Sequence, residues 1–310
     1  MKIENNKIAI VGDPHIAPIP GGRIDDYFHV GLDKITQIAN TCEHVVFLGD
    51  MFSCPKIDEK YVNALISHLL YLMTSNGNKF YSIIGNHDVA NELEVKLPNS
   101  SLGTLAASGC IRIIYPEFPV EIGQYNFNTV PVRFRDVKQF LQDKHYTDKD
   151  VLLIHHEYET GTNRIVYEDI KNLGCKHIFF GHDHCPLPNG RIIYPECTVY
   201  RSGSLMRNLA TEYNFTRQIY YYIIDGENIS CGAVEQQQAQ TVFTQKALTR
   251  ENYNKKKFVE SVDNIIDKYK STMSKQNKCS IKSALLELNT PERAIYRIKQ
   301  KYEKFGERFD

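Results

Sequence analysis

Five short apolar runs recur along the first two-thirds of the chain, and each ends in polar residues with metal-binding chemistry. Residues 7–10 lead into Gly12-Asp13, 45–48 into Gly49-Asp50, and 80–84 into Gly85-Asn86-His87-Asp88. Residues 151–154 lead into His155-His156, and 178–180 into Gly181-His182-Asp183-His184. Runs of β-branched and aromatic residues bounded in this way predict strands. Between them, Phe28, Leu32, Ile35, Ile38 and Ala39, and again Tyr61, Leu65, His68, Leu69 and Leu72, repeat at the spacing of an amphipathic helix. Strands alternating with helices predict an α/β layering in which sites gather beyond the carboxyl ends of the strands. Two further β-rich stretches, 124–132 and 218–224, show no helical pattern after them. They predict a second, more antiparallel sheet, so that the core is a two-sheet sandwich flanked by helices.

The polar stretch 235–240 predicts a boundary between a catalytic module at 1–234 and a linker with a basic helical region at 235–310. Beyond it, Phe258, Val262, Ile265, Ile266, Tyr269 and Met273 form one helical stripe. Pro291 opens another helix bearing Ile295, Ile298, Tyr302 and Phe305. These stripes need a surface, either the first module or the helices of a partner.

Composition changes this picture in three ways. The 310 residues are 42% hydrophobic and 24% charged, enough apolar material for one large core or two domains, which excludes disorder and a disulfide-stapled miniprotein. The formal charge of zero divides unevenly: 1–245 hold 21 basic against 28 acidic residues, and 246–310 hold 16 against 9. A basic run is ordinarily a solvated helix face, with a nucleic-acid footprint as the alternative. Finally, the eight cysteines form no Cys-x-x-Cys pair, no apolar run nears the roughly 20 residues of a membrane span, and the start lacks a signal-peptide core. The expectation is an intracellular, cytoplasmic protein with reduced thiols and no membrane association.

Asp13 and His15 lie two residues apart at a strand end, so extended backbone puts both side chains on one face, within reach of one ion. His182 and His184 repeat the spacing, while Asp50, Asn86 and His155 each arrive from another strand end. His155 and His156 are neighbours that a strand sends to opposite faces, so only one of them belongs to the set. Carboxylates, imidazoles and one amide oxygen suit Mn²⁺, Fe²⁺ or Zn²⁺ better than a thiolate site or a Ca²⁺ cage. Seven candidate ligands exceed one ion's needs. With Asp50 shared they divide into two groups of four, as in a two-metal phosphoryl-transfer site with ions roughly 3.5–4 Å apart. A lone strand-end His is usually structural and a Gly-Asp pair usually a turn; five such pieces in this order are not explained that way.

Gly12-Asp13-Pro14-His15, Gly49-Asp50, Gly85-Asn86-His87-Asp88, His155 and Gly181-His182-Asp183-His184 resemble the five blocks of the calcineurin-like metallophosphoesterase superfamily, over about residues 7–224. Within it the chain is similar to SbcD-type DNA-repair nucleases and the small subunit of tailed-phage recombination endonucleases. Gly22-Arg23-Ile24-Asp25-Asp26 after the first block, Met51-Phe52 after the second, and Arg201-Ser202-Gly203-Ser204-Leu205 carry that likeness. Protein Ser/Thr phosphatases fit less well, since Ile16 stands where they have Gly and Phe52-Ser53-Cys54 where they have Asp-Arg-Gly. Ser53 also departs from the nucleases, which commonly carry Asp there, and the segment from His155 to Gly181 is short.

The resemblance implies the αββα fold and two divalent metals, Mn²⁺ first, with Fe²⁺, Zn²⁺ or Mg²⁺ as alternatives. It implies that Asp13, His15, Asp50 and His184 hold one ion, and Asp50, Asn86, His155 and His182 the other, with His156 the fallback for His155. It makes His87 the catalytic group that orients the phosphate or protonates the leaving oxygen, and suggests Asp88 as the holder of its other nitrogen. It further implies DNA as substrate in recombination or repair, and a phage or viral source becomes an option. Arg133, Arg135, Arg201, Arg207 and the Lys255-Lys256-Lys257 cluster are candidate contacts to a nucleic-acid backbone, with solvated surface charge as the equal alternative. The implied partners are a coiled-coil ABC-type ATPase (SbcC-like), docked through the C-terminal helices, and a second copy in a homodimer. The competing readings are a small-substrate phosphodiesterase or phosphatase with the same site, and a non-catalytic scaffold on the same fold.

Overall fold

The computed structural model describes residues 6–20, 22–159, 164–207, 215 and 217–249. The chain divides into two compact units, Met1–Thr244 and Gln245–Asp310. The expected stripes at 258–273 and 295–305 and the lysines at 255–257 lie outside the described residues. Among the described residues no helix is long and apolar enough to cross a membrane.

The first unit opens with β1 (Ile8–Val11), α1 (Tyr27–Ala39), β2 (His44–Phe47), α2 (Glu59–Asn76), β3 (Lys79–Ser82), α3 (Ser101–Ala107) and β4 (Arg112–Ile113). Next come β5 (Val120–Ile122), β6 (Tyr125–Thr129), α4 (Phe134–Gln142), β7 (Asp150–Ile154), β8 (Glu157–Tyr158), β9 (Arg164–Ile165) and α5 (Tyr167–Ile170). The unit continues with β10 (His177–Phe180), β11 (Arg191–Ile193), β12 (Thr198–Tyr200), β13 (Tyr220–Asp225), β14 (Asn228–Ala233) and a short helix, α6 (Ala239–Val242). One six-stranded sheet has the order β14-β13-β1-β2-β3-β4, the other β11-β12-β10-β7-β6-β5, and β8 pairs with β9. β1, β2, β3 and β4 run parallel, as do β6, β7, β10 and β12, while β5, β11, β13 and β14 pair antiparallel at the flanks.

Strand parity explains the layers, because successive side chains leave opposite faces of a sheet. Ile8 and Ile10 of β1, Val151 and Leu153 of β7, and Phe179 of β10 meet between the sheets with Phe127 and Tyr222. Their neighbours face outward: Ala9 and Val11 pack with Leu32, Ile35 and Ile38 of α1 and with Leu65, Leu69 and Leu72 of α2. Leu152, Ile154, Ile178 and Phe180 pack with Val137 and Leu141 of α4 and Ile170 of α5. Strands covered on both faces read as unbroken apolar runs. Asp26 caps α1 by accepting from His29 N, and Asp58 caps α2 by accepting from Lys60 N, which sets where each helix begins.

The sandwich is therefore present, with a different division of strands. Residues 218–224 do not build the second sheet: β13 pairs antiparallel with β1 in the first. Residues 124–132 do join the second sheet through β6, but that strand runs parallel to β7 and is followed by α4. α4 was hidden because it is only nine residues long and its core-facing positions Val137, Phe140 and Leu141 are interleaved with charged and polar neighbours. Past β14, Glu235 N donates to Gln37 Oε1 and Phe243 bridges to Arg23.

Candidate metal centre

The carboxyl ends of five parallel strands, three from one sheet and two from the other, converge at one end of the sandwich. β1 delivers Asp13 and His15, β2 Asp50, β3 Asn86 and His87, β7 His155, and β10 His182 and His184. The loops after β1 and β2 are tied side by side, His15 N donating to Asp50 O at 2.9 Å and Ile16 N to Met51 O at 2.8 Å. The loop after β3 presses on Asp50 so closely that a Cβ at Gly85 would stand 2.2 Å from both Asp50 N and Asp50 Oδ1. Only glycine leaves room there. His15, Asp50 and His182 all adopt positive φ, 49°, 48° and 70°, in a region that disfavours side chains. Each such residue costs of order 1–3 kcal/mol and persists where its surroundings over-determine it, commonly at functional sites.

Two groups result. Asp13, His15 and His184 converge in one, and Asp50, His155 and His182 in the other. His15 Nε2 lies 2.8 Å from His184 Nε2 and 3.6 Å from Asp50 Oδ2. In the second group Asn86 Oδ1 is 3.0 Å from both His155 Nε2 and His182 Nδ1, and His155 Nε2 is 3.3 Å from Asp50 Oδ1. The two oxygens of Asp50 thus face different groups, which suits a bridging carboxylate. Three observations fit the residues to cations. Two imidazole nitrogens face one another in the first group; Asp13 Oδ2 is buried with no hydrogen-bond partner; and an amide oxygen serves two imidazoles in the second.

The protonation states follow from burial and these neighbours. Burial pushes His15 down to about 4 despite the pull of Asp50 and Asp13, which keeps its imidazole neutral, the form that binds metal. Burial also lowers His182, helped by His155. For His155 burial opposes the charge, but Asp50, Asp13 and the Leu48 carbonyl outweigh it and push it up to about 10. Burial likewise opposes ionisation of Asp50, yet His155 and His15 hold it below the usual carboxylate range. A cation held by this group would take the electrostatic place of that proton, and its uptake would release the proton. His155 Nδ1 donates to Leu48 O at 2.6 Å, aiming Nε2 at the group.

His156 turns away and places Nε2 3.0 Å from Pro131 O, so His155 is the imidazole that joins the cluster. His87 is exposed at the rim with Nδ1 2.9 Å from Ser53 O, while its backbone N donates to Asp50 Oδ1 at 2.8 Å. The expected Asp88 partner is corrected. Asp88 is fully buried and accepts from Gly85 N and Phe52 N, holding the turn instead of the His87 imidazole. Burial, reinforced by Asp50, pushes Asp88 up to about 8. The backbone of Ser53 was not legible as the partner of His87, since a carbonyl has no signature in the side-chain pattern.

The four arginines separate. Arg133 stands at the residue before α4, just past the carboxyl end of β6, and Arg135 is exposed beside Asp136. Arg201 and Arg207 are corrected as nucleic-acid contacts, because both are buried. Arg201 donates to Asp183 and to the Tyr158 carbonyl, and Arg207 to the Gln237 carbonyl.

The fold and the double cluster define a metal-dependent phosphoesterase. The calcineurin-like phosphoesterase family model matches residues 6–186, and the chain belongs to that family. The family uses two divalent metals and hydrolyses phosphoesters, which the two candidate groups accommodate. No curated protein sequence matches the chain significantly. Among solved structures it is similar to a conserved uncharacterised protein, a predicted phosphoesterase, from Streptococcus pneumoniae TIGR4. That match has 14% identity, covers 74% of this chain and 90% of the other, and has a TM-score of 0.32. Another crystal structure, 10% identical, covers 74% of this chain and is itself covered completely at a TM-score of 0.41. At these scores neither bears on substrate.

Proposed function

We propose that this chain is an SbcD-type DNA exo/endonuclease subunit that cleaves phosphodiesters in recombination or repair inside the cell, with Mn²⁺ as its metal. The observation that carries the reading is the open rim: His87 is exposed and His184 is 31% exposed at the edge of the two groups. A phosphodiester within a polymer can approach such an edge without its ends entering a pocket. Arg133 and Arg135, past the carboxyl end of β6 and so at the same end of the sheet as His155, supply positive charge for the flanking backbone. The C-terminal stripes remain the surface proposed for a coiled-coil ABC-type ATPase, and a second copy of the chain is the other proposed partner.

In this reading Asp13, His15, Asp50 and His184 hold one ion and Asp50, Asn86, His155 and His182 the other. Bound divalent ions supply charge neutralisation at phosphoryl oxygens and lower the pKa of water toward neutrality, so no protein nucleophile is required. The chain's own work is positional and protic. Asp50 keeps the groups adjacent, Leu48 O fixes the tautomer of His155, and Ser53 O holds His87 Nδ1 so that Nε2 faces the substrate side. His87 Nε2 then delivers its proton to the leaving oxygen.

The test is Mn²⁺-dependent cleavage of end-labelled duplex and single-stranded DNA, beside His87→Ala. The variant should lose about 10²–10⁴ in rate while still binding both ions, the usual contribution of a general acid. Metal loss in His87→Ala would make His87 a ligand. Hydrolysis of an aryl phosphodiester with DNA left intact would transfer the assignment to a small substrate.

A further inference from the structure

Asp183 sits between His182 and His184, whose imidazoles serve different groups. The three residues form a tight turn, with Asp183 N bonded to Gly181 O at 2.9 Å and His182 at φ 70°. A non-glycine residue is disfavoured there and stays only where something holds it. Arg201, 6% exposed at the carboxyl end of β12, meets the turn from the side of Asp183. Its guanidinium donates to Asp183 Oδ2 at 2.5 Å and to the Tyr158 carbonyl at 3.2 Å.

Arg201 is itself anchored. Its backbone N donates to Gly190 O at 3.2 Å, and its carbonyl accepts from Leu187 N at 3.1 Å. It begins an irregular strap, 201–207, that touches the backbone of two of the five ligand-bearing loops, those after β1 and β10. Ser204 N donates to His184 O at 3.3 Å and Leu205 N to Asp13 O at 3.0 Å. The far side of the strap is pinned by buried side-chain donors: Arg217 donates to the carbonyls of Ser204 and Met206, Lys34 to that of Leu205, and Arg23 to that of Arg207. An ion pair to so fixed a base holds the turn at a set distance from Asp13.

Resting on the metal-centre reading above, we propose that Arg201 is a positioning residue: through Asp183 it fixes the His182–His184 turn and thereby sets the affinity of both metal groups together. One residue acts on two ions because the turn contributes one imidazole to each. Both bonds leave one guanidinium nitrogen, Nη1, so the reach and planar rigidity of the side chain, as well as its charge, place the donor between carboxylate and carbonyl.

The experiment is a Mn²⁺ titration of the full chain followed by EPR, for the parent, Arg201→Met, Arg201→Lys, Asp183→Asn and the double variant Arg201→Met/Asp183→Asn. Thermal melts without metal establish that each is folded. Arg201→Met and Asp183→Asn should each weaken both ions by about 10–100-fold, as for other groups that orient ligands. The double variant should bind no more weakly than the weaker single, since both remove one link. Arg201→Lys should fall between parent and Arg201→Met. Folded variants that bind as the parent does, a loss confined to one ion, or losses that add in the double variant would each overturn the inference. Should Arg201→Met not fold, Asp183→Asn, a near-isosteric change at a partly exposed side chain, gives the same readout. A parent that takes up no Mn²⁺ overturns the metal-centre reading and this inference with it. A parent that binds two ions beside variants that do likewise overturns the inference alone.

Discussion

His155 and His156 are adjacent and do opposite things. His155 Nε2 faces Asn86 and Asp50, while His156 Nε2 meets Pro131 O on the other side of the chain. His155→Ala should therefore abolish one metal group in a Mn²⁺ titration, and His156→Gln should leave both intact. The second variant has its own signature. Burial, against the pull of the Pro131 carbonyl, pushes His156 down to about 4. With an unfolded value near 6.5, the unfolded chain binds more protons between about pH 6.5 and 4. The stability His156 contributes by being neutral is therefore complete above pH 6.5 and lost as pH falls toward 4. The difference is on the order of 2–3 kcal/mol. Melting temperatures from pH 7 to 4 in EDTA should fall less steeply for His156→Gln than for the parent; parallel curves would refute the assignment. At this scale the candidate ligands were legible because strand ends and paired spacing announce them. The alternation of a strand showed that one histidine of the pair leaves the site, though not which. Asp88 and Arg201 were misread for a common reason: the sequence carries their charge but not their burial, and buried charges are committed to interior partners.

The strands and the two long helices follow from local pattern, but their pairing does not. Runs such as 151–154 are apolar at every position because both faces are covered, so they contain nothing to say which of two sheets they enter. β13 shows the consequence, since its partner β1 lies about two hundred residues earlier and only the finished sandwich brings them together. Element ends are better determined. α2 runs from its Asp58 cap to Gly77, which adopts φ 83° and donates its N–H to Met73 O. A Cβ at Gly77 would meet nothing within 4 Å, so Gly77→Ala tests the backbone alone. The expected cost is about 1 kcal/mol, the penalty for alanine where φ is positive, with full metal binding retained. Chemical denaturation gives the number directly, and an unchanged midpoint would show that the helix ends differently in solution.

Seen as one molecule, the first unit is two sheets whose contact is a continuous apolar layer, open at the end where the strands finish. The candidate groups lie across that opening. Each draws on both sheets: Asp13 and His15 from β1 meet His184 beyond β10, and Asp50 beyond β2 meets His155 and His182. This end gathers the buried carboxylates of Asp13 and Asp50 with the imidazoles of His15, His155, His182 and His184. Ions bound there join the sheets as well as serving the chemistry, and a ligand that binds only the folded chain stabilises it by RT ln(1 + [L]/Kd), about 2.7 kcal/mol per site at one hundred times Kd. The melting temperature should rise with the logarithm of Mn²⁺ concentration and fall back on adding EDTA. Asp50→Asn should lose most of that rise, because one substitution removes the negative charge that faces both groups. If the parent melts at the same temperature with and without Mn²⁺ while the ions are shown to be bound, binding must be equally strong to the unfolded chain, and the two sheets are held by their apolar layer alone.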